Sequence, residues 1–386
     1  MEEKQKGRCK NVKRLILVSI FLLLSAGCAP AYPIERLGII NTIGVDSDNE
    51  DSQALNTTYV YFQFDPNAKN INEIISSKAK TLKGAHEKAN VKSNFQLVPG
   101  KLRVLMMGRP LAEKGVASIL DTLVRDAKIT DTMFLAVADQ AAGDVLHEVF
   151  QRSTTNVGNH LYQLIDTNVD QEILIRTTLR DFMHKYYDIG SDPVLPLISV
   201  VEHMPSIERM ALFRDETYAG DISIEEGFFI KLLSGRYQSG RIELSLPIEE
   251  FENIRQKDTD QREEESLFLS LSELRSHNSI KLVSKEELRF QSDIKVQARL
   301  LEISEQLELD KEEVVKKLEK AIEKDMNRQI NQLLDKFREL KVDPIGFGSI
   351  YNAKHPVTQE EWRKLLPEMK LDLNLNVNII RQGIID

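Results

Sequence analysis

Residues 101–139 read KLRVLMMGRPLAEKGVASILDTLVRDAKITDTMFLAVAD. KLRVLMMG predicts an apolar strand. RPLAEKGVASILDTLVRD predicts a helix, with Pro110 near the first turn, where proline is tolerated. MFLAVAD predicts the next strand. Strands alternating with helices predict a mixed α/β or α+β domain. The flanks continue the pattern. Upstream, LGIINTIGVDSDNEDSQALNTTYVYFQF reads as two strands around an acidic turn, and SKAKTLKGAHEKANVKS as a helix. Downstream, AAGDVLHEVF reads as a further helix, and GSDPVLP breaks the pattern near residue 192.

Beyond that break, RMALFRDETYAG predicts a strand and turn. SIEEGFFIKLLSG predicts a helix with the Ser223/Glu226 spacing of a capping box and Gly235 at its end. RIELSLP predicts another strand. The polar run over residues 249–265 reads as a loop. DIKVQARLLEI alternates as a half-buried strand does. A long amphipathic helix over about 311–340 carries Val314, Leu318, Ile322, Met326, Ile330, Leu333, Phe337 and Leu340 in one stripe, read first as core. Pro344 cannot continue it. LDLNLNVNII closes the chain, with Leu371, Leu373, Leu375, Val377 and Ile379 on one face. The expected class is α+β: three mixed α/β domains, the last with the long helix packed on a largely antiparallel sheet. The expected limits are an N-terminal domain over 37–192, a small middle domain over 193–275 and a C-terminal domain over 276–386.

The N-terminus carries an address. Lys4, Lys6, Arg8, Lys10, Lys13 and Arg14 precede the uncharged run Leu15–Gly27, and Ser25, Ala26 and Gly27 lead into Cys28. The apolar run is too short to cross a bilayer as a helix, which needs about 20 residues. Basic, apolar and small-residue regions in that order form a secretory signal. With Cys next, they form a bacterial lipobox: cleavage between Gly27 and Cys28, lipid on Cys28, and a tether over 28–36. A plain signal peptide or an uncleaved anchor is the alternative. Cys9 lies in the removed segment, so the mature chain has no second Cys for a disulfide. Removing residues 1–27, with six basic and two acidic side chains, takes the formal charge from −9 to −13. An acidic body argues against nucleic acid, which needs a basic face.

Motifs for chemistry are missing. The seven His show no metal-ligand spacing, and there is no nucleophile elbow, phosphate loop or dinucleotide fingerprint. The Gly346–Gly348 segment, GFG, reads as a turn after the long helix. DSDNED lacks the Gly and distal Glu of a calcium loop and reads as a hairpin turn. Asp121 and Arg125 are i, i+4 neighbours and form a surface pair. No catalytic residue, cofactor or metal is expected.

Taken together, these segments resemble the Ger(x)C (GerAC-like) family of spore germination lipoproteins, the C subunits of nutrient germinant receptors. The resemblance rests on the lipobox followed by RLGIINTIGVDSD. It rests also on Gly108, Leu111, Ala112, Gly115, Asp121 and Arg125 in the 101–139 region. Near the C-terminus it rests on Asp343, Gly346, Phe347, Gly348, Pro356, Trp362, Pro367 and Gly383. Two departures stand out. Ala29, Pro30 and Tyr32 occupy the region where family members often have Trp, and Leu366 replaces a frequent Phe. The resemblance implies three mixed α/β domains outside the inner spore membrane, anchored by lipid. It implies assembly with multi-span A and B subunits to sense small nutrients, in a non-catalytic role. A lipid-anchored solute-binding protein and an envelope enzyme are the other hypotheses.

Overall fold

The computed structural model describes residues 33–48, 50–51, 53–66, 70–152, 157–254 and 266–380. β1 (Leu37–Ser47) and β2 (Leu55–Gln63) form the expected antiparallel pair around the acidic turn. The Asp48 carboxylate organises that turn, accepting the N–H groups of Glu50 at 3.0 Å and Asp51 at 2.8 Å. The helix expected from Ser77 is shorter. β3 (Asn72–Ala79) takes its first residues, and α1 (Leu82–Lys92) begins after Thr81, whose hydroxyl accepts the Gly84 N–H. β4 (Gln96–Val98) follows.

The opening stretch forms β5 (Val104–Gly108) and β6 (Phe134–Ala138), with every residue of both buried. Uniform burial marks strands covered on both faces. Between them the single expected helix is two, α2 (Arg109–Ala112) and α3 (Ala117–Val124). Gly115 separates them at φ +107°, a conformation open to glycine and closed to a continuing helix. α4 (Ala142–Arg152) is the helix expected there. α5 (Val157–Asp170) and α6 (Leu179–Tyr187), which the sequence reading did not name, follow it.

β7 (Val194–Val201), β8 (Met204–Arg214) and β9 (Thr217–Ser223) complete a nine-stranded sheet in the order β3-β2-β1-β5-β6-β7-β8-β9, with β4 paired to β1. β1, β5, β6 and β7 run parallel, flanked by antiparallel strands on both sides. α7 (Ile224–Leu233) carries the expected capping box: the Ser223 hydroxyl accepts the Glu226 N–H at 3.2 Å, and the Glu226 carboxylate accepts the Ser223 N–H at 2.8 Å. β10 (Arg236–Pro247), β11 (Ser266–Ser284), β12 (Arg289–Ile303) and β13 (Lys370–Ile379) form a second sheet in that order. Its first two pairings are antiparallel and β12–β13 is parallel. α8 (Glu312–Leu340) packs on this sheet along β13 and buries the predicted stripe, with only Leu340 partly exposed. α9 (Phe347–Asn352) and α10 (Gln359–Leu365) lie between α8 and β13.

The fold is therefore mixed α/β with two sheets. The expected limits at 192 and 275 do not coincide with sheet edges: β7–β9 extend the first sheet, and residue 275 lies inside β11. Gly190 and Pro193 interrupt the local pattern, but strand pairing is set by partners distant in sequence. One core covers a face of the first sheet with α4 and α5, then continues through α7 to the second sheet, α8 and Trp362. Another covers the opposite face with α1, α3 and α6. Among the described residues no helix is long and apolar enough to cross a membrane.

Candidate functional site

The residues of the C-terminal motif meet the first sheet at one buried junction. Asp343, 1% exposed, follows α8 and turns its carboxylate onto the N-terminus of α9. Oδ1 accepts the N–H groups of Gly346 at 2.8 Å and Phe347 at 3.1 Å, and Oδ2 accepts that of Gly348 at 2.8 Å. Gly346 sits at φ +92°, which lets three successive amides converge. Burial and the neighbouring Asp192 push the Asp343 carboxyl up to about 6 against these donors. Trp362 is fully buried beside Tyr351, with ring centroids 5.8 Å apart.

Asp192, 0% exposed and just before β7, is the partner. Its Oδ2 accepts the Asp343 N–H at 2.6 Å, and its own N–H donates to the Asp343 carbonyl at 2.8 Å. Arg363 of α10 donates to both Asp192 oxygens, a bidentate pair, and reaches Asp215 Oδ1 at 2.9 Å. Burial opposes the Arg363 charge, and the two aspartates outweigh it, so its pKa rises. Gln359 also spans the junction, donating to Asp215 Oδ1 at 2.6 Å and accepting the Gly190 N–H at 2.8 Å. Lys185 of α6 donates to the carbonyls of Pro344 at 3.0 Å and Asp192 at 3.2 Å. Its burial pulls its pKa down despite the surrounding carboxylates. The two backbones nearly touch here. A Cβ on Gly190 would lie 2.2 Å from the Gly348 Cα, and one on Gly348 would lie 2.5 Å from Trp362 Nε1.

Of the other motif, Gly115 adjoins the β8–β9 turn, where a Cβ on it would lie 3.2 Å from the Glu216 carboxylate. Asp215, at φ +56°, holds Arg363 and Gln359. Its neighbour Glu216 accepts the Ala117 N–H at 2.7 Å and so caps α3 directly after Gly115. Ala112 is fully buried. Gly108 serves a second contact, at the end of β5, where a Cβ would fall 2.1 Å from Asp46 Oδ1. Asp46 uses that carboxylate to accept the Ala142 and Gly143 N–H groups at 2.7 and 2.8 Å. Asp121 and Arg125 stay outside the junction as the exposed pair expected, 2.8 Å apart. Gly27, Cys28 and Gly383 lie outside the described residues.

Ion pairs stand at the ends of β5 and β6, on the side of the sheet where open α/β folds usually hold ligands. Arg109 pairs with Asp139, and Arg209 bridges Asp139 at 2.6 Å and Asp221 at 3.2 Å. Among the described residues no cluster of His, Cys, Asp and Glu could hold a metal. The chemistry at the junction is mechanical: charge-assisted hydrogen bonds fasten the α8–α10 segment to the first sheet. Sequence reasoning missed Lys185, Gly190, Asp192, Asp215, Glu216, Gln359 and Arg363. The only local signal is Gly190–Pro193, which reads as a boundary.

The sequence model described as spore germination protein N-terminal domain matches residues 31–200, and that described as spore germination B3/GerAC-like, C-terminal, matches 208–383. Spore germination protein GerQC of Bacillus cereus is 21% identical, over 97% of this chain and 99% of its own. Spore germination protein KC of Bacillus subtilis is 21% identical, over 96% and 97%. The crystal structure of the GerBC protein covers 90% of this chain and 100% of its own at TM-score 0.53 and 17% identity, a likeness of fold.

Proposed function

The chain belongs to the GerAC-like family of spore germination proteins, and on that premise we propose that it is the lipid-anchored C subunit of a nutrient germinant receptor. The observation that carries this reading is the match of both family models, in order, from residue 31 to residue 383. In this role the protein is an assembly and signalling component and not a catalyst. It is tied through Cys28 to the outer face of the inner spore membrane and held beside integral-membrane A and B subunits. The buried junction supports the reading. A solute-binding protein needs two lobes that open about a hinge, whereas Asp192, Arg363 and the Gly190–Gly348 contact lock the corresponding position here.

Affinity purification of the tagged protein from detergent-solubilised spore membranes tests the proposal. Multi-span A- and B-type subunits are expected to co-purify. Recovery of an ABC permease, or of the protein alone, would overturn it. Mass spectrometry of the mature N-terminal peptide is expected to show acyl chains on Cys28, and Cys28→Ala is expected to leave uncleaved precursor.

A further inference from the structure

Three large apolar side chains stand exposed at the end of the first sheet where the described chain begins. Ile34, in the turn before β1, is 50% exposed, Phe64 is 43% and Ile71 is 66%. Strand register gathers them. Gly38 of β1 pairs with Gln63 of β2, and the Gln63 N–H donates to the Ile71 carbonyl at 2.9 Å. Buried Gln63 also fixes the residues beside Phe64 and Ile71. Its side-chain amide donates to the Asn70 carbonyl at 2.6 Å and accepts the Asp65 N–H at 2.7 Å. Phe64 stands edge-on to Phe62, centroids 5.3 Å apart. Phe64 and Ile71 thus project from a fixed frame at the edge of the sheet farthest from β9.

The chain leaving this end says what covers the patch. Cys28 lies six residues before Ile34, so an extended tether spans about 20 Å at most. A lipid on Cys28 therefore holds Ile34 within about 20 Å of the bilayer surface, with Phe64 and Ile71 at the same end of the sheet. Glu35, Arg36, Asp65, Lys69 and Glu73 neighbour them in sequence, three acidic against two basic, which leaves no basic excess to favour an electrostatic contact. We infer that Ile34, Phe64 and Ile71 form an apolar footing that enters the interfacial layer of the lipid bilayer, making a second membrane contact beside the acyl chains. This rests on the proposed lipidation of Cys28. It fixes the orientation: the β1 end faces the membrane and the Val201–Met204 hairpin, at the other end of the parallel strands, points away.

The test uses the full lipidated chain in phosphatidylglycerol–phosphatidylethanolamine vesicles, with an environment-sensitive fluorophore on Ile71→Cys or, as control, Met204→Cys. Both positions are more than half exposed, at 66% and 55%, so neither label disturbs the core. Acylated Cys28 does not react with the label. Quenching by spin-labelled lipid is expected to be about threefold stronger at 71 than at 204, with the opposite order for aqueous iodide. High salt is expected to leave the contrast unchanged. Equal quenching at both sites on an acylated chain would overturn the footing and leave the anchor intact. A contrast abolished by salt would overturn its apolar basis. A mature N-terminal peptide without acyl chains would overturn the anchor and the footing with it.

Discussion

Asp343 is a buried acid whose three amide donors and one neighbouring carboxylate pull in opposite directions. Burial and Asp192 prevail, raising its pKa from 3.8 to about 6. A carboxyl with a raised native pKa favours the folded state most when both states are protonated, below about pH 4, and loses that contribution as pH rises through 6. Asp343→Asn does not titrate, so subtracting its stability from that of the wild type isolates the effect. That difference is expected to fall by about 3 kcal/mol between pH 4 and pH 7 in urea unfolding. A difference that stays level or grows with pH would show that the carboxyl is not raised. Gly190 gives a second prediction. Alanine there adds a Cβ 2.2 Å from the Gly348 backbone at φ +76°, so Gly190→Ala should lose about 3 kcal/mol or more. Gly100→Ala, with nothing within 4 Å, serves as the control and should be near neutral. Asp343 and GFG stand out in the sequence, where the glycines read as a turn. Their reason, a close approach to Gly190 more than 150 residues away, has no local trace.

Elements were legible where their cause is local. The α8 stripe repeats every three or four residues, and the α7 cap is set by Ser223 and Glu226 alone. β11 was missed because its alternation breaks. Glu273 sits at φ +52° and the register with β12 shifts between Ser272 and Arg275, after which Ser276 and Asn278 face inward in place of apolar residues. Asn278 is satisfied there by the Leu233 carbonyl at 2.6 Å and by the Ser292 hydroxyl at 2.7 Å. α8 has a duty beyond its stripe. β13 ends the second sheet, and Glu323 and Glu319 of α8 accept its outward N–H groups, from Val377 at 3.0 Å and Ile379 at 2.8 Å. An unpaired strand edge invites other strands, and these carboxylates occupy part of it. Glu319→Ala with Glu323→Ala should raise amide exchange at Val377 and Ile379 by about tenfold or more, since each lost acceptor costs about 1 kcal/mol or more. Glu319→Gln with Glu323→Gln keeps the acceptors and should restore protection. Equal exchange in all three proteins would remove the carboxylates from the edge.

At the scale of the molecule, the expected partition into 37–192, 193–275 and 276–386 becomes a question of cooperativity. Gly190 and Pro193 mark the first of those limits, but such punctuation reports local chain direction and not which strands pair. The apolar core runs from the first sheet through α7, buried on nearly all sides, to the second. The Asp192–Arg363–Asp215 cluster fastens the same two bodies near α6 and α10. Bodies joined by a shared core and a buried ion cluster should melt together, so the chain from residue 29 onward is expected to give one calorimetric transition. Arg363 is the place to separate them. Its guanidinium neutralises Asp192, which has no solvent contact. Arg363→Met keeps much of the side-chain volume but leaves that carboxylate buried without its cation, a loss of about 3–5 kcal/mol. The loss falls on the junction while the two sheets keep their own hydrogen bonds and packing. Arg363→Met should therefore split the transition in two, with far-ultraviolet ellipticity lost in two steps. Restoring neutrality with Asp192→Asn in the same chain should recover part of the coupling. Two transitions in the wild type would mean that the bodies are independent and the junction only positions them. A single, merely lowered transition in Arg363→Met would place the coupling in the α7 core instead.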